Sequence, residues 1–202
     1  MYMAFLLALG IFFAGGENYI EPAGETHFDE QALYQFVEML SAESGAFDAD
    51  FFVGIETAED SFYFNFEVKT IFDTYETETL LSAIHEPSGW LAGLTVPVAV
   101  HTIIRGGDVV ESRMILGDSE LTPETIRTFG LAQYKEIAAT DFRGLLPEIN
   151  AVISSAEISA VLLLNRNNEP CHFYAEAYLP YTRVFLDVRF NAIGDAVKIT
   201  LP

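Results

Sequence analysis

The sequence predicts an α+β fold with a largely antiparallel sheet, on three observations. Secondary-structure signals run in the order helix, strands, helices, strands, rather than alternating strand and helix as a parallel sheet requires. Residues 62–72 alternate, with Phe62, Phe64, Phe66, Val68, Thr70 and Phe72 on one face and Tyr63, Asn65, Glu67, Lys69 and Ile71 on the other. The composition is aromatic, with 17 Phe and 9 Tyr in 202 residues, and these side chains suit a pleated, half-buried surface. Half of the residues are hydrophobic, enough for a sizeable core and too many for a disordered chain.

Taken in order, the first element is a helix after Asp29, a residue suited to capping, with Leu33, Phe36, Val37 and Leu40 at the helical period and Gly45 near its end. Strands are expected over residues 47–55, 62–72 and 75–84, with a turn at Pro87-Ser88-Gly89. Residues 96–104 alternate again, and Pro97 assigns this strand an edge position or marks its start. Arg105-Gly106-Gly107-Asp108 joins it to a strand over 109–116 as a hairpin. Thr122-Pro123 opens helical sequence to about Lys135, and a second helical stretch spans 141–155, interrupted at Pro147. A final meander is expected over 158–164, 171–179, 183–191 and 197–201, with a turn at residues 165–168. Phe36, Phe51, Phe66, Val100, Leu145, Leu162 and Phe185 are expected in the core.

Charge narrows the partners. The formal net charge is -20, from 30 acidic and 10 basic side chains, which excludes the basic stripe that nucleic acid or an anionic membrane surface requires. Residues 1–87 hold seventeen acids and one base, Lys69, for a net of -16. That imbalance admits a solvated acidic surface, cation binding or a cationic protein partner. Cys171 is the single cysteine, so neither an internal disulfide nor a cysteine-built zinc site is available.

Residues 3–14 read MAFLLALGIFFA, an uncharged apolar run too short for a membrane span of ~20 residues and matching the core of a secretory signal. Small residues Ala14, Gly15 and Gly16 follow, placing cleavage before Glu17. The basic start of such a signal is missing, which leaves an upstream start, a buried structural element or an uncleaved anchor as alternatives. The expectation is a signal-like segment over 1–16, an extracytoplasmic location, and one domain over 17–202.

The standard catalytic constellations are missing: there is no Gly-rich phosphate loop, nucleophile elbow, His-Glu-x-x-His helix or calcium loop. His27, His85, His101 and His172 stand singly. Cys171 and His172 are adjacent in a strand, where neighbouring side chains point to opposite faces unless a bulge intervenes. Acid pairs such as Asp48/Asp50, Glu59/Asp60 and Glu76/Glu78 are expected by chance among 30 acids. No catalytic residue, metal or cofactor is therefore assigned. More informative are strands apolar on both faces, as in Phe62-Tyr63-Phe64 and Ala160-Val161-Leu162-Leu163-Leu164, which fit either a sheet buried on both sides or one enclosing an apolar cavity.

The C-terminal third carries a recognisable pattern. Ile153-Ser154-Ser155 leads into Ile158-Ser159-Ala160-Val161-Leu162-Leu163-Leu164, the turn Asn165-Arg166-Asn167-Asn168-Glu169-Pro170 and two long strands, and the chain closes on Phe190-Asn191-Ala192-Ile193-Gly194-Asp195-Ala196-Val197-Lys198-Ile199-Thr200-Leu201-Pro202. Over residues 153–202 this resembles the ending of LolA/LppX-like lipoprotein domains of the uncharacterised Gram-positive type. The resemblance implies a curved, largely antiparallel half-barrel covered by helices around a cavity for acyl chains. It carries over no catalytic residue. The lipidated cysteine of that family has no counterpart at Ala14-Gly15-Gly16, so a lipid anchor is not supported.

The expected function is an exported, non-enzymatic protein holding a lipid-like or other hydrophobic ligand. Alternation alone selects Phe62, Phe64, Phe66, Val161, Leu163, Tyr174 and Tyr178 as lining residues. The rival expectation is an acidic envelope protein-protein interaction module with a solid core. A hydrolytic function would need His172, His101 or a carboxylate pair to converge in a cleft.

Overall fold

A computed structural model describes residues 20, 22–40, 42–85, 93–139, 157–179 and 181–201. Ten strands form a single sheet: β1 (Thr26–Phe28), β2 (Gly45–Thr57), β3 (Ser61–Phe72), β4 (Glu76–His85), β5 (Val96–Arg105), β6 (Asp108–Leu116), β7 (Ser119–Glu120), β8 (Glu157–Leu164), β9 (Pro170–Leu179) and β10 (Thr182–Ile193). Their spatial order is β1-β8-β9-β10-β2-β3-β4-β5-β6-β7, and every neighbouring pair is antiparallel. Helices α1 (Glu30–Leu40), α2 (Pro123–Thr128) and α3 (Ala132–Ala138) complete the described elements. The fold is α+β, an open, curved half-barrel, as expected. Register shifts at residues 103/104, 163/164 and 190/192 add local twist to the curve.

The sequence explains the long strands. β2 and β3 are joined by a tight turn in which Thr57 Oγ1 accepts from the Asp60 N–H (2.9 Å) and donates to the Asp60 carbonyl (3.0 Å). The β5–β6 hairpin turns on Gly106 and Gly107, whose φ values of 58° and 88° need residues without a Cβ.

Cross-strand register divides the sheet into two faces. The inner face, on which the helices pack, carries Phe47, Ala49 and Phe51 of β2 opposite Thr70, Val68 and Phe66 of β3. It continues through Leu81 and Ala83, Val98 and Val100, and on the other side through Val188, Phe190, Phe173, Ala160 and Leu162. Helix α1 presents Ala32, Phe36 and Leu40 to this face, with the Phe36 ring stacked on Phe173 at 3.9 Å. Leu131, Tyr134 and Ala138 of the α3 region cover the β4–β5 side. Burying each such side chain stabilises the fold by ~1.5–3 kcal/mol before entropy is counted.

Several local expectations differ from the structure. Asp29 does not cap α1 with its side chain. Its φ is 49°, its Oδ1 accepts from the Ala160 N–H (3.3 Å), and its own N–H donates to the Ala160 carbonyl, so it ties the helix start to β8. Gly45 begins β2 rather than ending α1. Pro97 lies near the start of β5, a strand interior to the sheet, so the start and not the edge is the correct reading. The expected helix over 123–135 is two short helices, because the chain turns at Phe129-Gly130. Residues 197–201 form no strand; the chain leaves β10 through a 3-10 turn, Gly194–Ala196, and continues irregularly. Strands β1 and β7, of three and two residues, were not anticipated.

The expected core residues Phe36, Phe51, Phe66, Val100, Leu162 and Phe185 are buried. Leu145, the helix over 141–155, the turn at residues 87–89 and the segment over 1–16 lie outside the described residues. Among the described residues no helix is long and apolar enough to cross a membrane.

Candidate functional site

Among the described residues, the helices do not cover the inner face along its whole length. Toward the β2–β3 and β9–β10 turns, apolar side chains continue past the helices: Val53 and Ile55 of β2 pair with Leu186 and Val184 of β10, whose neighbours are Ala175 and Ala177 of β9. All six are half-buried, while their counterparts further along the same strands, Phe51, Val188 and Phe173, are buried. Phe64, opposite Val53, is 36% exposed. An apolar strip therefore runs out from the closed core.

Beside Phe64 the sheet parts. β3 pairs with β4 only from Phe66↔Ala83 to Phe72↔Thr77, whereas β2 stays with β3 as far as Glu56↔Ser61 and β4 stays with β5 as far as His85↔Val96. The His85 ring holds the end of β4 toward the helices: Nδ1 lies 3.2 Å from the Tyr134 hydroxyl and Nε2 lies 3.1 Å from the Phe129 carbonyl. Burial raises the Tyr134 hydroxyl above its ordinary range. A cavity of about 950 Å³ occupies the parting. Phe64, Phe66, Ala83, Val98, His85 and Tyr134 line its inner side, and Tyr63, Asn65, Glu67, Lys69 and Ser82 line the outer side together with Leu80, Ile84, Pro97 and Ala99.

Charges near the outer side form a defined group. Lys69 Nζ lies 3.3 Å from Asp48 Oδ2 and 3.2 Å from Glu67 Oε1. Burial raises the Glu67 carboxyl above the ordinary range, because Lys69 is shared with Asp48 and offsets it only in part. Asn191 Nδ2 donates to both Asp48 and Asp50 at 3.3 Å.

The outer face carries a second group. Arg183 bridges Glu56 (3.0 Å) on β2 and Glu176 (2.7 Å) on β9, and its Nη2 donates to the Tyr174 hydroxyl at 3.1 Å. The Glu56 carboxyl is held below its usual range by Arg183 and then by the Tyr63 hydroxyl. Burial, then the Glu176 carboxylate, pushes the Tyr174 hydroxyl up to about 12. Arg183 also lies over the Phe185 ring, 5.0 Å from its centroid, and Phe185 adjoins Phe52 and Tyr63. This network ties β9, β10 and β2 together.

The seven residues selected by alternation do not share one face. Phe64 and Phe66 belong to the inner face, Phe64 at the open strip and Phe66 buried beneath it. Phe62 occupies the corresponding position opposite Ile55 in the β3 backbone; its side chain lies outside the described residues. Val161, Leu163, Tyr174 and Tyr178 belong to the outer face, because Val161 pairs with Tyr174 and the adjacent Leu162 with the inner-face Phe173. One cavity lined by all seven is therefore not formed. Alternation missed Val53, Ile55, Val184 and Leu186, although the first two continue the Phe47, Ala49, Phe51 series and were legible as such.

The groups named for a hydrolytic site are also apart. His101 (β5) lies between Glu78 at 2.8 Å and Glu111 at 3.5 Å, and His172 (β9) lies 2.9 Å from Asp187, with four strands between β5 and β9. A bulge does fall beside Cys171, but its Sγ donates to the Leu163 carbonyl at 3.1 Å while His172 bonds Asp187. Among the described residues no group of three or more His, Cys, Asp or Glu side chains is arranged to hold a metal ion. No protein-family model matches the chain, and no curated protein matches it.

Proposed function

We propose that this protein is an exported, non-enzymatic carrier or sensor that holds a lipid-like or other hydrophobic ligand against an apolar strip on the inner face of its half-barrel. The observation that carries the reading is the strip of half-buried Val53, Ile55, Val184 and Leu186 and exposed Phe64, apolar side chains that continue the core and end at the cavity of about 950 Å³. Ligand sites are concave and mostly apolar, and a volume of ~300–1,000 Å³ is usual for them. Burial of an alkyl chain there would gain ~25 cal/mol per Å², before the cost of association. The resemblance of residues 153–202 to LolA-like domains, and the signal-like run at 3–14, are consistent with this reading and with an extracytoplasmic site of action.

Native mass spectrometry of the protein purified from a lipid-containing host tests the proposal. A bound mass released by organic solvent is expected, and Phe64→Arg should abolish it while Tyr178→Arg, an exposed position on the outer face, should not. A clean unliganded mass for the unmodified chain would overturn tight ligand binding and favour the acidic interaction module instead.

A further inference from the structure

The parting of β3 from β4 connects the two faces of the sheet, and its two sides differ in chemistry. On the inner side the walls are Phe64, Phe66, Ala83 and Val98, with His85 and Tyr134 bonded to each other, and no charged side chain. On the outer side the polar and charged Tyr63, Asn65, Glu67, Lys69 and Ser82 stand together with the apolar Leu80, Ile84, Pro97 and Ala99. A molecule lying through the gap would have one end among uncharged, mostly apolar side chains and the other within reach of charged and polar ones. That is the form of an amphiphile. This rests on the inner-face reading above and extends it to the head of the ligand.

The sign of charge at the outer mouth selects among amphiphiles. Lys69 is the cation on the cavity lining, and it is in contact with two carboxylates, Asp48 and Glu67. Asp50 stands opposite Glu67 in the register and brings a third, and Arg189, opposite Asp50 on β10, lies 3.6 Å from a fourth, Asp187. Two positive charges against four negative ones leave this part of the outer face anionic, in a chain of net charge -20 that concentrates cations around itself. The aromatic surface agrees in sign. Tyr63 is 53% exposed and Phe52 39%, with rings parallel and 5.9 Å apart, so π faces that attract cations lie beside the carboxylates.

We propose that the ligand is an amphiphile whose alkyl tail passes between β3 and β4 to the inner face and whose head group, left beside Tyr63 and Glu67, is cationic rather than anionic. A carboxylate or phosphate head in the same place would meet like charge at Glu67 and Asp50. Lys69, already paired twice, has little to offer it.

Two probes with matched twelve-carbon tails test this, dodecyltrimethylammonium and dodecanoate, titrated into the full chain by calorimetry at pH 7 and low salt, below their micelle-forming concentrations. The cationic probe is expected to bind at least about tenfold more tightly, equivalent to ~1.4 kcal/mol. Glu67→Gln should shrink that ratio several-fold, chiefly by weakening the cationic probe. Phe64→Gln, which leaves the charge unaltered, should weaken both probes alike, with the thermal midpoint confirming that the variant is folded. Equal binding of the two probes, or tighter binding of dodecanoate, would overturn the assignment of the head group while leaving the inner-face reading standing. Binding of the cationic probe that survives Phe64→Gln unchanged would reduce it to surface adsorption and also overturn the proposal. Failure of both probes to bind would sink the inner-face reading itself.

Discussion

Gly54 lies directly under the ring of Phe185, its partner across the β2–β10 pair: a Cβ at residue 54 would come within 2.2 Å of the Phe185 ring carbons. The missing side chain lets Phe185 lie flat over β2 on the outer face, between Phe52 and Tyr63 and beneath Arg183. Phe185 is therefore buried without facing the helices.

Gly54→Ala is expected to destabilise the protein by ~1–3 kcal/mol, the usual cost of forcing a methyl group into a filled space. In a Phe185→Leu background the same change should cost measurably less, because the clashing ring carbons are gone. Urea denaturation of the two single variants and the double variant measures the coupling. Additive costs would show that the Gly54–Phe185 contact is not the cause.

Glu56 gives a signed pH dependence. Its carboxyl is held below the ordinary value of 4.5 by Arg183 and Tyr63, so folding favours the ionised form. The resulting stability is present above the unfolded value and is lost as pH falls through the lowered folded value. Glu56→Gln should therefore flatten part of the loss of stability on acidification from pH 6 to 3, and lower stability at pH 6. Denaturation midpoints across that range read the effect directly, and an unchanged acid limb would contradict it.

The Phe36–Phe173 stack joins α1 to the sheet, with ring centroids 3.9 Å apart and planes within 1°. Both side chains are buried. Phe36→Ala is expected to cost ~3–5 kcal/mol, since the vacated ring volume sits over a rigid strand surface. Calorimetric unfolding checks the size, and a loss under ~1 kcal/mol would mean that α1 packs loosely.

Cys171 is buried, and burial pushes its thiol up to about 11. At pH 8 the folded protein should resist a disulfide reagent that labels the single thiol promptly in denaturant, because the thiolate is the reactive form. Rapid labelling of the native protein would show that β9 opens locally at its start.

Much of this fold was legible in the sequence because alternation is a local property. The Phe62 to Phe72 series of β3 and the first three strands of the final meander can be read without knowing their partners. Strands of two or three residues, such as β7 and β1, are too short to show a period. Asp29 and Gly45 look like helix punctuation, but their roles are set by β8 and by the start of β2, which are distant contacts.

The candidate site was legible only in part for a similar reason. Alternation sorts residues of one strand into two faces, but it does not tell which face of another strand is the matching one. Between β3 and β8 that phase passes through β2, β10 and β9, and the register of four pairings decides it. Phe64 and Leu163 were thus grouped, and the sheet separates them. The parting of β3 from β4 has no local signal at all, since it depends on where pairing stops and on the His85 contacts with Tyr134 and Phe129.

The central claim is that an apolar ligand lies on the inner-face strip, and methyl-resolved NMR with an uncharged twelve-carbon amphiphile, dodecyl maltoside below its micelle-forming concentration, tests it most directly. The account predicts saturable shifts at the methyl groups of Val53, Ile55, Val184 and Leu186, with those of Val109 and Val110 at the exposed end of β6 unmoved. Shifts confined to outer-face or edge methyls, or none at all, would contradict it.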